Sequence, residues 1–311
     1  MQSVRSLTGL LLLALCLSLG TVGTGCIPFN KQGNGDLVRP PAAFTAGKAT
    51  PESLVSYLND NARRIQSIRA KIDMDVTQDG KSVGPSGALV CEKPRNFRLQ
   101  ASVLGSQQID IGSNQHELWF WIKQANPPYQ YVCSHEDLAI GKAVLPFPFD
   151  PNMVLSALGM AEYDPEAKYD LKTFEKSHEL SWDTLSADGR QVRRTVAFHR
   201  WPLPAHSDKS QMFGQVVKDL KTDKVICQAR VEKVYRDRTG VVVPSNVIIS
   251  YPAERAVVRL MLSGIEVNAV TPEDAKYAFT RRPIPGVNVY DLGKRGIVGP
   301  DGTLRAGYEP R

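Results

Sequence analysis

Histidine is scarce in this 311-residue chain and never clustered. His116, His135, His178, His199 and His206 stand singly, so there is no H-E-x-x-H pair and no metal-ligand spacing. A G-x-S-x-G elbow and a phosphate-cradling glycine loop are also missing. Asp73 and Asp75 share a strand face, but two such acids read as solvated. Neither an enzyme nor a bound cofactor is expected. Lys and Arg total 38 against 32 Asp and Glu, a formal charge of +6. These charges are spread along the chain, without a dense basic block interleaved with aromatics. Nucleic acid is therefore excluded as a partner, and the surface reads as solvated and mildly basic.

Cysteine is nearly as sparse. Cys16 and Cys26 lie near the N-terminus, which leaves Cys91, Cys133 and Cys227, an odd number without a C-x-x-C motif. Each sits in an apolar, strand-like context, so buried small hydrophobes are expected, with one disulfide left open. A long apolar run occurs at Leu7 to Leu19, too short for a membrane span. Arg5 precedes it and the small residues Gly20 to Gly25 follow, the pattern of a removable leader. Gly23, Thr24, Gly25 and Cys26 resemble a bacterial lipobox, with cleavage before an acylated Cys26. The expectation is a signal peptide over 1–25 and a lipid-anchored mature chain. One acyl chain gives only marginal membrane binding, whereas two or three hold a protein there stably. Ile27, in the place where an Asp retains such proteins at the inner membrane, points to the outer membrane, facing the periplasm. Residues 26–49 carry Gly33, Gly35, Pro40, Pro41 and Gly47 with little periodicity and read as a flexible tether.

The clearest pattern runs from Cys91 to Lys123. Phe97, Leu99, Ala101 and Val103, then Ile109 and Ile111, then Leu118, Phe120 and Ile122 alternate with Arg98, Gln100, Ser102, Gln108 and Asp110. A period of two predicts strands with one dry and one wet face. Breaks at Lys93-Pro94, Gly105-Ser106 and Gly112-Ser113-Asn114 are turn chemistry. Upstream, Thr50-Pro51-Glu52 is a helix start. Leu54, Leu58, Ile65 and Ile68 predict an amphipathic helix of about 17 residues. Downstream, a second short helix is expected over Asn152 to Met160, as core or as a plug in a groove. Arg194 would face the dry side of its strand, as a functional residue or at a strand end. Trp119 and Trp121 project from one face of their strand, either as an exposed patch or under the 134–168 segment. There is no strand–helix alternation. The expected fold is α+β and mainly antiparallel, a curved incomplete barrel of about ten or eleven strands. The N-terminal and mid-chain helices would cover its apolar cavity. The domain would span 50–283, and 284–311, rich in Gly and Pro, reads as an extended or disordered tail.

This order resembles the LolA/LolB superfamily, the bacterial lipoprotein carrier and its outer-membrane receptor. The matching stretches are a helix ending Ile65 to Ile72, then Gly87 to Val90 and Lys93 to Leu99. Gln107 to Ile111, Glu117 to Phe120, Pro244 to Ile249 and Ile265 to Asn268 continue the match. The resemblance implies acyl chains of a lipid or acylated lipoprotein cargo held in a dry cavity. The expected lining is Leu54, Leu58, Ile65, Leu99, Val103, Ile109, Leu118, Phe120, Met153 and Leu158. It implies a role in lipoprotein sorting or insertion at the outer membrane, as a monomer that meets a periplasmic carrier protein. Leu104, in the hairpin that corresponds to the family's protruding loop, is the membrane-insertion candidate. The competing expectation is a structural or sensory envelope lipoprotein that captures a protein partner through Trp119 and Trp121.

Overall fold

The computed structural model describes Phe44 and residues 49–145, 151–204, 206–298 and 303–306. The expected leader, Cys26 with the expected lipobox, and nearly all of the expected tether lie outside the described residues.

Helix α1 spans Pro51–Arg63. Its start is built as the sequence suggests. Thr50 Oγ1 accepts the Ser53 amide at 3.3 Å, and Ser53 Oγ accepts the Thr50 amide at 2.9 Å. That reciprocal pair satisfies two amides that a helix start leaves open. At 13 residues the helix is shorter than expected. From Ser67 the backbone is claimed on both edges by sheet partners, so Ile65 to Ile72 does not continue it.

Seventeen strands of the described residues form one sheet. The first is β1 (Ser67–Gln78), then β2 (Lys81–Val83), β3 (Ser86–Glu92), β4 (Asn96–Val103), β5 (Ser106–Ser113), β6 (Glu117–Ile122) and β7 (Gln130–Ser134). Two short helices follow, α2 (His135–Ala139) and α3 (Pro151–Ala157). Next come β8 (Asp170–Thr173), β9 (Ser177–Leu185), β10 (Gln191–His199), β11 (Met212–Asp219), β12 (Val225–Arg236), β13 (Val242–Tyr251) and β14 (Ala256–Val267). Helix α4 (Pro272–Ala278) precedes β15 (Val289–Asp291), β16 (Gly296–Val298) and β17 (Leu304–Ala306).

The long strand β1 is the spine. It pairs with β14 along one edge and with β2 and β3 along the other. From there one arm runs back through β13, β12, β11, β10 and β9 to β8. The other runs forward through β4, β5, β6 and β7 to β15, β16 and β17. Neighbours are antiparallel except β7 and β15. Among the described residues β8 and β17 share no hydrogen bonds, so the sheet is unclosed. The expected architecture is present, with more strands than ten or eleven. Five of the additional ones are three- and four-residue pieces, too short to show a period.

Two expectations are corrected. The stretch from 284 is not a loose tail throughout, because β15 lies against β7 and Tyr290 is buried among Tyr131, Phe120 and Leu118. The meander β4–β6 is also not wet over the whole of its second face, although Gln100 is exposed there. Arg98, Asp110, Trp119 and Trp121 are all buried. The segment after α4 crosses that side. Arg98 donates to the carbonyls of Thr280 and Ala278, and Asn114 donates to that of Phe279. Arg281 pairs with Glu117 at 2.9 Å. Gly112 is required here, since a Cβ would run into the Trp119 ring. The exposed tryptophan patch is thereby overturned. Residues 278–280 supply carbonyls to Arg98 and Asn114, and His135 adds a bond to the Asn114 carbonyl.

Candidate binding site in the hollow of the sheet

The sheet wraps around α3. Met153, Val154, Leu155, Leu158 and Met160 form one buried cluster with Leu89, Leu99 and Ile109 of the forward arm. The same cluster takes in Val192, Val217, Ala229 and Ile249 of the returning arm, Ile72 of the spine and Leu260 of β14 beside it. Strands this far apart in a sheet share one cluster only when the sheet curls. Helix α3 stops at Gly159, which takes a left-handed φ of 76°. The amide of Met160 then reaches back to the Leu155 carbonyl at 2.9 Å, and that of Gly159 to Ser156 at 3.0 Å.

The irregular segment after this turn is pinned by α1. Asn59, buried on α1, donates to the Tyr163 carbonyl and accepts the Tyr163 amide, both at 2.8 Å. Asn61 makes the same two-way bond with the backbone of Val242, both at 2.9 Å. Asn59→Ala would leave both backbone groups of Tyr163 without partners inside the protein. Thermal or chemical denaturation is expected to show a loss of about 2–4 kcal/mol, since each orphaned group costs about 1–3. Beneath Tyr163, the Ser156 hydroxyl donates to Gln215 Oε1 at 2.9 Å and lies 3.1 Å from the Tyr163 hydroxyl. Gln215 Nε2 closes the network on the Ser156 carbonyl at 3.1 Å. Every member is buried and bonded, which fixes α3 in one register.

A cavity of about 500 Å³ opens on the flank of α3. Its walls come from both arms: Lys93 and Pro94 from the β3–β4 turn, and Trp182 to Leu185 of β9 with Arg194 of β10. Leu155, Ser156, Met160 and residues up to Tyr169 supply the floor. The cavity therefore lies in the cleft between the two arms, the seam of the half-barrel. The arms also touch across the seam. Ala187, in the β9–β10 turn, packs on the cluster of Leu138 and Ala143. Gly189 lies so close to the Ala139 carbonyl that a Cβ would collide with it.

Three aromatic rings line the cavity. Tyr163 and Tyr169 meet Trp182 edge to face, with centroids 5.4 and 5.5 Å away. Burial pushes the Tyr163 phenol up, and burial beside Asp164 takes Tyr169 to about 12. Both keep their protons at neutral pH. Charges on the wall are largely matched. Lys93 Nζ donates to Glu162 Oε1 at 2.8 Å and to the Ala62 carbonyl at 2.8 Å. The Lys93 bond holds the Glu162 carboxyl below its usual range. Asp183 accepts two bonds from Arg193, at 2.8 and 3.0 Å, and is likewise held low.

The residues expected to line one cavity are divided among clusters. Ile65, Leu99, Ile109, Met153 and Leu158 pack together around α3. Leu54 and Leu58 of α1 belong to a second cluster with Phe44, Phe198 and Val196. Leu118 and Phe120 lie in a third, with Tyr131, Cys133 and Leu138. Val103 is half-buried at the end of β4. Arg194, singled out because it faces the dry side, does line the cavity. Trp182, Tyr163 and Tyr169 were not singled out as site residues, because they come from separate segments without a shared period. The three body cysteines are buried and none is in a disulfide. Leu104 stands at the tip of the β4–β5 hairpin, 88% exposed, with a left-handed φ of 48°.

The architecture defines a class: an open antiparallel half-barrel filled by a short apolar helix, with a cavity along its seam. No protein-family profile matches the chain, and neither does any curated protein. Among solved structures it is similar to a LolA superfamily protein from Nitrosomonas europaea, at 10% identity and a TM-score of 0.46, over 73% of this chain and 97% of that one. It is also similar to an outer membrane lipoprotein-sorting protein domain from Vibrio parahaemolyticus, at 8% identity and 0.49, over 75% and 100%. A DUF1329 family protein from Desulfovibrio piger aligns at 9% identity and 0.48, over 74% and 98%. At such identities the likeness concerns fold alone.

Proposed function

We propose that this chain is a lipid-anchored protein of the bacterial envelope that takes acyl chains of a lipid or lipoprotein into the hollow now filled by α3. The observation that carries the reading is the helix itself. It is coated with apolar side chains from both arms and flanked by an open cavity of about 500 Å³. Space of this kind suits an elongated apolar ligand, since burial yields roughly 25 cal/mol per Å². Release has to occur directly into a membrane or onto another carrier, because the same burial opposes passage through water. Acylation of Cys26 would moor the domain at the outer membrane, facing the periplasm, as a monomer. Native mass spectrometry of residues 27–311, purified without detergent, tests the reading. A carried mass of lipid size supports it. A bare chain that also fails to displace a fluorescent fatty acid removes it.

Leu104 fits the same reading. A leucine in left-handed backbone costs roughly 1–2 kcal/mol, and its side chain here gains no burial in return. An asparagine tolerates that backbone far better. Leu104→Asn is therefore expected to raise stability by about 1 kcal/mol in a thermal melt. Transfer of a bound fluorescent lipid to vesicles should slow in the same variant. Unchanged transfer would leave Leu104 as an ordinary turn residue.

A further inference from the structure

The seam cavity has a chemistry of its own. Next to α3 it is apolar, with Leu155 and Met160, and a chain leaving the hollow would pass here. Its outer wall is aromatic and polar. Trp182 is half-buried between Tyr163 and Tyr169. Arg194, the cross-strand partner of Trp182, lines the same wall. Two cations, Lys93 and Arg194, face three carboxylates, Glu162, Asp164 and Asp183. Glu162 is satisfied by Lys93, and Asp183 by Arg193. With these pairs counted the wall is close to neutral, and an anionic head would gain no surplus of cation there. A quaternary ammonium would meet the Arg194 guanidinium beside the rings. A neutral polyhydroxylated ring meets no such conflict. Its hydroxyls donate to carboxylates and accept from guanidinium and ammonium groups. Its C–H face lies against an indole or phenol ring.

We propose that the seam cavity is a head-group site for an amphiphile with a neutral, polyhydroxylated (sugar-type) head. The proposal rests on the acyl-chain reading, since the head is placed where a chain held around α3 would emerge. The volume lies within the roughly 300–1,000 Å³ usual for small-molecule sites. Trp182 supplies the stacking surface, and the hydroxyl of Thr184, two residues along the same strand face, supplies a polar contact.

The test compares three probes with one chain and different heads: decyl maltoside, decanoate and decyltrimethylammonium, each below its micellar concentration. All described contacts lie between residues 44 and 306, so residues 27–311 carry the whole described fold. Affinity is read by isothermal titration and by tryptophan fluorescence. Decyl maltoside is expected to bind tightest. Trp182→Ala should weaken it about tenfold, and the exposed Trp201→Ala should not change it. Thr184→Val preserves shape if Trp182→Ala fails to fold. It should weaken the maltoside about three- to tenfold and leave decanoate unaffected. If decanoate or the ammonium binds as tightly as the maltoside, the sugar-type head is overturned and the acyl-chain reading stands. Maltoside binding indifferent to both variants also overturns it. If none of the three binds, the acyl-chain reading fails, and this inference with it.

Discussion

Arg98→Ala is expected to destabilise the fold by about 3–5 kcal/mol, the largest single effect in the molecule. The Arg98 and Asp110 side chains are only 6% and 3% exposed and meet at 2.7 Å. Removing the guanidinium leaves a buried carboxylate without its countercharge. It also frees the carbonyls of Thr280 and Ala278 and strips a cation from over the Trp119 ring, 5.1 Å from its centroid. The double replacement Arg98→Met with Asp110→Leu should cost much less, because it removes both charges together. Urea denaturation of the two variants measures the difference. Burial already pushes the Asp110 carboxyl up, and Arg98 opposes that shift. Without Arg98 the folded-state pKa rises further above the unfolded value. Such a group favours the fold when protonated, so the penalty in Arg98→Ala is smallest in acid and grows as pH rises through the window between the two values. A penalty independent of pH would show that the carboxylate had found another partner or water.

Leu158→Ala is expected to lower stability by about 2–5 kcal/mol and yet increase acyl-chain uptake. Leu158, 1% exposed, lies on the turn that ends α3, within the cluster joining both arms. Truncating it opens a void lined by apolar atoms next to the seam cavity. A void of that kind stays dry and accepts an apolar guest. Denaturation should show the loss, and titration with decanoate should show a gain. If the void collapses, the stability loss falls at the low end of the range and no gain in affinity appears. That result would argue against displacement of α3 by a ligand.

Much of the scaffold was legible because strong local patterns coincide with it. Ile72 and Met74 alternate with Lys71 and Asp73 just as β1 is buried, and Thr50-Pro51 marks the start of α1 within a residue. The errors fall where long-range contacts override a local pattern. Arg98 and Asp110 read as a wet face because charge normally means solvent. What buries them is a segment about 170 residues away that closes over their pairing. A signal was present in principle: opposite charges on adjacent strands beside a tryptophan-rich one. The site was harder still. Trp182, Tyr163 and Tyr169 converge only because Asn59 pins the segment between them, and no spacing in the sequence announces that.

The lone parallel contact of the sheet has a consequence for self-association. Strand β15 covers the outer rim of β7, where the Gln130 amide is taken by the Asn288 carbonyl and the Leu292 amide reaches the Val132 carbonyl. A chain cut short before Val289 would present that rim, a ready template of peptide groups, to other copies. Such shortened chains should stack rim to rim into insoluble fibrils. The last strands thus shield the edge of β7 and leave only the three-residue β17 at that end of the sheet among the described residues.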